Sequence, residues 1–350
     1  MLFSKLFRSM APDLGIDLGT ANTLVSVRGQ GLVLNEPSVV AVKKSTQQVL
    51  SGGNAIGHTA KAMLGRTPVS IEAVRPLRNG VIADFDMTEV MLGHFMRKIG
   101  KRRHWISPRV VFAVPVGITK VQKRTLFDAA LRAGARQVYL IDEPRAAGLG
   151  AGVPIHEANA RMIVDIGSGT TDIAVVSLAD VVTSETLPVA GDALDEAIVQ
   201  YVRRNYNVLI GQASAEDLKI RLGSACGLPE QKYETVRGRD LLGGLPRALT
   251  VTSADIREAL AGPIRQIVDA VETTIQKTGP ELASDLVENG ILLCGGGALL
   301  PGMDLVLLEE TGLPVTIAAD PLTTVARGTA VFLERLDDFK DILESAEDEL

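Results

Sequence analysis

Two short stretches of this chain nearly copy one another, and few folds accommodate such a copy. Near the start the sequence reads Leu14-Gly15-Ile16-Asp17-Leu18-Gly19-Thr20-Ala21-Asn22-Thr23, and much later Ile163-Val164-Asp165-Ile166-Gly167-Ser168-Gly169-Thr170-Thr171-Asp172. Each is an apolar, β-prone run ending in Asp, then a Gly/Thr turn, then a second β-prone run (Leu24-Val25-Ser26-Val27 and Ile173-Ala174-Val175-Val176). Gly19 lets backbone approach phosphate oxygens with no Cβ in the way. Thr20, Ala21 and Asn22 then offer N–H groups, a hydroxyl and an amide to the phosphates. Asp17 ends its strand where a carboxylate can hold hydrated Mg²⁺. Alone, Asp-Leu-Gly-Thr is ordinary turn chemistry. The second copy favours a duplicated fold that clasps one polyphosphate nucleotide between two lobes.

At 350 residues the chain exceeds the usual single-core size, which also argues for two lobes. A net charge of -6 and a pI near 5.4 argue against general nucleic-acid affinity, which needs an extensive basic face. Cys226 and Cys294 lie far apart without metal-ligand spacing and read as reduced structural thiols of a cytoplasmic protein. No uncharged apolar run of about twenty residues offers a membrane span, and no signal peptide is recognisable. The protein is expected to stay inside the cell, with the acidic stretch 344–350 as a solvated tail.

The hydrophobic pattern predicts strands at 13–18, 23–28, 32–35, 38–43 and 109–114, a helix over 119–134 and a strand at 137–141. A loop-and-helix insertion is expected over 57–67, and an Ala/Gly-rich helix from Pro144 to Gly152. The pattern then restarts with strands at 161–166, 172–178 and 181–187 and helices at 192–205 and 214–223. Strand-like runs at 233–238 and 247–252, helices at 253–277 and 280–288, and a buried strand at 291–294 complete it. Alternation of this kind predicts an α/β protein with helices covering mixed sheets. A third glycine cluster, Gly295-Gly296-Gly297-Ala298-Leu299-Leu300, follows the last strand and lets backbone pack on a flat ligand or a helix terminus. Neither a Walker P-loop nor a Gly-x-Gly-x-x-Gly fingerprint is present, which excludes P-loop and NAD-binding readings.

Two further segments suit a lipid surface. In residues 1–10, Leu2, Phe3, Leu6, Phe7 and Met10 fall on one helical face, with Lys5 and Arg8 off that stripe. The only tryptophan sits in Lys101-Arg102-Arg103-His104-Trp105-Ile106, an apolar pair beside three cations. On the residues alone, the first segment fits equally a terminal helix packed on the protein or a loose tail. The second fits equally a nucleic-acid patch or a basic loop with a buried Trp.

The two hairpins, the crossover Ile141-Asp142-Glu143-Pro144 and the loop Gly295 to Leu300 together resemble the actin, sugar-kinase and heat-shock-chaperone ATPase superfamily. Within it the chain is similar to the MreB-type bacterial actins, in strings that run from Ile16 to Val325. The resemblance implies a two-lobed actin-like fold with a smaller subdomain on each lobe and ATP, with Mg²⁺, in the interlobe cleft. It implies a first lobe of 1–33, 66–145 and 318–350 with a small subdomain at 34–65, and a second of 146–181 and 246–317 with a small subdomain at 182–245. It assigns one phosphate loop to Thr20, Ala21 and Asn22 and the other to Gly167, Ser168 and Gly169. Glu216, Asp217, Leu218 and Lys219 match the segment bordering ribose and adenine, and Gly296, Gly297, Ala298 and Leu299 the loop beneath the nucleotide. Asp17 and Asp165 match the metal-side carboxylates, acting through water. Glu143 matches the residue that positions the attacking water, with Thr170 or Thr171 touching the same water. The Asp142-Glu143-Pro144 string is equally a good helix start.

The resemblance further implies ATP hydrolysis coupled to self-assembly into antiparallel double filaments on the inner face of the cytoplasmic membrane. Leu2, Phe3, Leu6, Phe7, Trp105 and Ile106 would anchor them, and membrane proteins of the cell-wall elongation machinery would be partners in setting rod shape. Three departures from the family pattern bear on hydrolysis rate: Ser168 in place of glycine, Arg145 and Gly148 in the crossover helix, and Ala190 before Gly191. A small-molecule kinase would need a polar hydroxyl pocket, and a peptide-binding chaperone a substrate domain of its own size; the sequence has neither signature. A scaffold that polymerises yet barely hydrolyses is the third alternative, raised by Ser168.

Overall fold

The computed structural model describes residues 13–99 and 107–335, together with the backbone of 344 and 345. The chain divides into two compact units, Met1–Pro154 with Thr323–Leu350, and Ile155–Leu322. Each unit has its own hydrophobic core.

The first unit begins with an antiparallel meander of β1 (Leu14–Leu18), β2 (Asn22–Val27) and β3 (Gly31–Pro37). Strand alternation sends Leu14, Ile16 and Leu18 into the core and turns Gly15 and Asp17 to the other face. A small three-stranded sheet follows, made of β4 (Val40–Lys43), β5 (Gln48–Val49) and β6 (Ile71–Val74), with a helical turn at His58–Lys61. The hairpin of β7 (Leu77–Arg78) and β8 (Val81–Ile82) and the helix α1 (Phe85–Ile99) come next. Then β9 (Arg109–Val114), α2 (Lys120–Arg132), β10 (Gln137–Asp142) and α3 (Glu143–Gly150) complete this stretch. Thr119 starts α2 through a capping box with Gln122, each side chain accepting the other's backbone N–H. Strands β9 and β10 add in parallel beside β1.

The second unit repeats the plan. An antiparallel meander of β11 (Arg161–Ile166), β12 (Thr171–Ser177) and β13 (Asp180–Leu187) leads into α4 (Gly191–Tyr206). After β14 (Val208–Leu209) and α5 (Gln212–Leu222), β15 (Tyr233–Asp240) and β16 (Pro246–Thr252) close a small sheet with β14. Helices α6 (Ser253–Gln276) and α7 (Pro280–Asn289) precede β17 (Ile291–Cys294), a tight turn of helix at Gly296–Leu299, α8 (Met303–Thr311) and β18 (Val315–Ile317). Here β17 lies parallel to β11, and β18 parallel to β17.

The chain then returns to the first unit as α9 (Thr324–Glu334), and β19 (Glu344–Ser345) pairs with β10. Helix α9 crosses α3 at glycine-limited distance: a Cβ on Gly328 would lie 1.7 Å from the Ala146 carbonyl, and one on Gly150 1.9 Å from that of Thr324. A Cβ on Gly15 would meet Thr329 Oγ1 at 2.5 Å, so α9 covers the sheet face that also carries Asp17.

Strand order therefore reads β3-β2-β1-β9-β10-β19 in one unit and β13-β12-β11-β17-β18 in the other. A three-strand meander followed by two parallel strands occurs twice, which is the duplication that the paired hairpins predicted.

Candidate functional site

Functional groups in α/β sheets gather at the carboxyl ends of the parallel strands, and both hairpin aspartates sit there. In the first unit Asp17 is in register with Ala113 of β9, which is in register with Ile141 of β10. Glu143 follows one residue after β10 ends, so Asp17 and Glu143 share one edge of one sheet. In the second unit Asp165 is in register with Cys294, directly before the glycine loop.

The turn between β1 and β2 is gripped by its carbonyl oxygens. Ser38 donates its hydroxyl to Gly19 O (2.7 Å) and its N–H to Ala21 O (2.9 Å). The Ser38 and Thr23 hydroxyls are themselves hydrogen bonded at 2.9 Å in a buried setting. From the other side the Gly80 N–H donates to Thr20 Oγ1 at 3.0 Å, which gives the β7–β8 hairpin its place. Gly19 needs to be glycine, since a Cβ there would stand 2.8 Å from Asn22 O.

The turn between β11 and β12 is held the same way by different residues. The Gly191 N–H donates to Gly167 O (3.2 Å) and the Asp192 N–H to Ser168 O (2.7 Å). Gly167 closes the turn by donating its own N–H to Thr170 O at 2.9 Å, so the donors left to consider are those of residues 168–170. None of residues 167–169 has a positive φ, so serine at 168 fits this backbone without strain. Ala190 is likewise at ease, extended at φ -158°. Thr170 is buried at the turn, whereas Thr171 is fully buried and donates to Val189 O at 2.7 Å. Of the two, Thr170 is the one placed at the loop.

The glycine loop packs on Asp165. Gly295, at φ +77°, lies so close that a Cβ would be 2.3 Å from Asp165 Oδ1 and from Ile166 O, and one on Gly297 2.2 Å from Ile166 Cγ2. The turn Gly296–Leu299 follows, with Ala298 buried and Leu299 exposed. On α5 the helical spacing puts Glu216 and Lys219 on one half-buried face, with Leu218 in the core and Asp217 exposed. Lys219 Nζ donates to Gly191 O at 3.0 Å. In the crossover, Pro144 sits in the first turn of α3 and Arg145 pairs with Asp142 at 2.8 Å, so this departure from the family pattern reinforces the helix start.

The electrostatics separate Asp17 from its neighbours. At the opposite end of β1, buried Asp13 accepts from Arg109 Nε (2.9 Å) and Arg28 Nη1 (3.2 Å). Among the described residues neither an ion pair nor a hydrogen bond reaches the Asp17 carboxyl. Although Asp17 keeps some contact with solvent, burial pushes its carboxyl up from 3.8 to about 7. A desolvated carboxyl without a cation fits a bound metal ion. No cluster of three or more His, Cys, Asp or Glu able to hold a metal occurs among the described residues. Mg²⁺ would need only one or two carboxylates together with phosphate and water. Leu2, Phe3, Leu6, Phe7, Trp105 and Ile106 lie outside the described residues, and among those described no helix is long and apolar enough to cross a membrane.

Sequence reasoning missed Ser38, Gly80 and the backbone grip of Gly191 and Asp192. The available signals are the family-like strings around Ser38, Gly80 and Asp192, which assign these residues no role.

Comparison with known proteins agrees with this geometry. The MreB/Mbl protein family model matches residues 11–341. The cell shape-determining protein MreB of Escherichia coli K12 is 52% identical over 335 residues, 95% of this chain and 96% of that protein. The crystal structure of Spiroplasma citri MreB5 bound to ADP superposes with a TM-score of 0.89 at 37% identity, covering 95% of this chain and 98% of that one. The MamK double helical filament, 23% identical with a TM-score of 0.77 over 93% of this chain and 99% of that one, shares the fold.

An acid whose folded pKa exceeds its unfolded value contributes stability that is complete below the unfolded pKa and is lost as pH rises through the folded one. Without nucleotide, Asp17→Asn should therefore melt with the wild type at about pH 4 and above it at about pH 8. Thermal scans across pH check this, and a constant difference in Tm would remove the desolvated carboxyl from the account.

Proposed function

Because the chain belongs to the MreB/Mbl family, we propose that it is an actin-like, nucleotide-binding filament protein that determines cell shape by directing cell-wall synthesis. The observation that carries this reading is the pair of carbonyl-gripped turns at the carboxyl ends of two sheets that share a five-strand order. The ADP and AMPPNP bound by Spiroplasma citri MreB5 support an adenine nucleotide as the ligand.

In the proposed mechanism each unit contributes its hairpin to one ATP. The Thr20, Ala21 and Asn22 turn holds phosphate from the first unit, and the 167–169 turn, through its Ser168 and Gly169 donors, from the second. Glu216 and Lys219, with Asp217 and Leu218 on the same helix, border ribose and adenine, and Gly296, Gly297, Ala298 and Leu299 lie beneath. Asp17 and Asp165 would hold Mg²⁺ through water, where the ion supplies charge neutralisation of the phosphates. Glu143, at the carboxyl edge it shares with Asp17, orients the attacking water and accepts its proton, while the Thr170 hydroxyl touches the same water.

ATP binding favours head-to-tail association, a heterologous contact that builds open polymers, and hydrolysis resets it. Filaments pair antiparallel on the inner face of the cytoplasmic membrane, anchored through residues 1–10 and the Trp105-Ile106 pair, with membrane proteins of the wall-elongation machinery as partners. One such anchor binds weakly; a filament presents many, and avidity supplies the rest.

Two measurements test this. Glu143→Ala should lower ATP-dependent phosphate release by about 10² to 10⁴ while ATP binding persists; equal rates would remove Glu143 from the reaction. Electron microscopy of purified protein with ATP on anionic liposomes should show lipid-bound filaments, and a chain lacking residues 1–10 should lose most of the lipid binding. Absence of filaments in every condition would overturn the assignment.

A further inference from the structure

Asp195 has no role in the reading above, yet it is a buried charge of the second unit. It lies on the second turn of α4, 6% exposed, with its carboxylate 2.8 Å from Lys219 Nζ of α5. The same ammonium donates to the Gly191 carbonyl at 3.0 Å. Gly191 and Asp192 in turn hold the carbonyls of Gly167 and Ser168. A side chain on Gly191 would intrude at 3.3 Å from Ser168 Cα and 3.5 Å from Lys219 Nζ, so these three elements meet at one point. A continuous chain of polar contacts thus runs from α5, through Lys219 and Gly191, to the 167–169 turn.

We propose that Asp195 is a positioning residue that, through Lys219, locks the nucleoside-bordering helix α5 to the phosphate turn at residues 167–169. This rests on the reading of those two segments as nucleotide-binding. The Lys219 ammonium donates to the Gly191 carbonyl, and the charge of the Asp195 carboxylate 2.8 Å away holds it there. Asp195 also neutralises Lys219, which would otherwise be a half-buried cation free to swing to the phosphates. The two halves of the ligand are then recognised by one rigid block, and the nucleoside strengthens phosphate binding.

A buried pair serving only stability can be replaced by apolar side chains of similar volume with little loss; a positioning pair cannot. The test compares ATP with inorganic tripolyphosphate as ligands of the full chain, by displacement of a fluorescent ATP analogue. Asp195→Asn should weaken ATP roughly tenfold or more, the range for a hydrogen bond to a charged group, and tripolyphosphate far less. The double variant Asp195→Leu/Lys219→Met, which keeps the fold if the single variant does not, should show the same loss of preference for ATP. Equal losses for both ligands, or unchanged ATP affinity in either variant, would overturn the proposal. Failure of the wild type to bind either ligand would instead sink the nucleotide reading.

A pH profile gives the readout that a structural role would not move. Burial, opposed by Lys219 and reinforced by Glu216 and Asp192, pushes the Asp195 carboxyl up to about 6. Its protonation breaks the contact with Lys219, so the ratio of wild-type to Asp195→Asn affinity for ATP should fall towards one below about pH 6. Taking the ratio cancels titration of Asp17 and of the ligand, and a ratio that stays constant with pH would count against the proposal.

Discussion

Both hairpin turns are held by hydrogen bonds to their carbonyl oxygens, and the chemistry attributed to them depends on that constraint. A tight turn has few ways to satisfy its polar groups. When neighbours occupy the acceptors, the donors become the natural contact for an anion. Ser38 does this in the first unit with a side chain and its own N–H; Gly191 and Asp192 do it in the second with backbone alone. In each turn a Cβ on the glycine would crowd the carbonyl three residues on, at 2.8 Å for Gly19 and 3.1 Å for Gly167. The same geometry is thus reached twice from different residues, as expected when a duplicated backbone plan persists while its sequence drifts.

Charge is distributed along β1 with the same logic. At its start, Asp13 is neutralised by two arginines and serves only to fasten strand ends. At its end, Asp17 is desolvated with no cation among the described residues, and a carboxyl in that state is held protonated near neutrality. A cation placed beside it would favour the ionised form. Asp165 is constrained differently, by packing: Gly295 lies against its carboxylate so closely that no other residue could follow β17.

The duplication was legible because each hairpin is local, its Asp, glycine and flanking β-prone runs lying within fifteen residues of sequence. Most strands and helices up to Cys294 were legible for the same reason, through local alternation of apolar and polar residues. The grip of Ser38 on Gly19 and of Gly191 on Gly167 was not, because each joins segments with no pattern linking them. Helix α9 escaped as well. No side chain caps it, and its small residues are explained only by the close crossing of Gly328 over Ala146. Among the site residues, the pattern could not show that Leu218 belongs to the core or that the Gly167 N–H is spent closing its own turn.

The central proposal, that the two aspartates would serve one nucleotide, is addressed most directly by a double-mutant cycle on ATP affinity. Measured for wild type, Asp17→Asn, Asp165→Asn and the double variant, binding should show a coupling of about 0.5–3 kcal/mol between the two sites. Losses that simply add, or ATP affinity indifferent to either substitution, would contradict it.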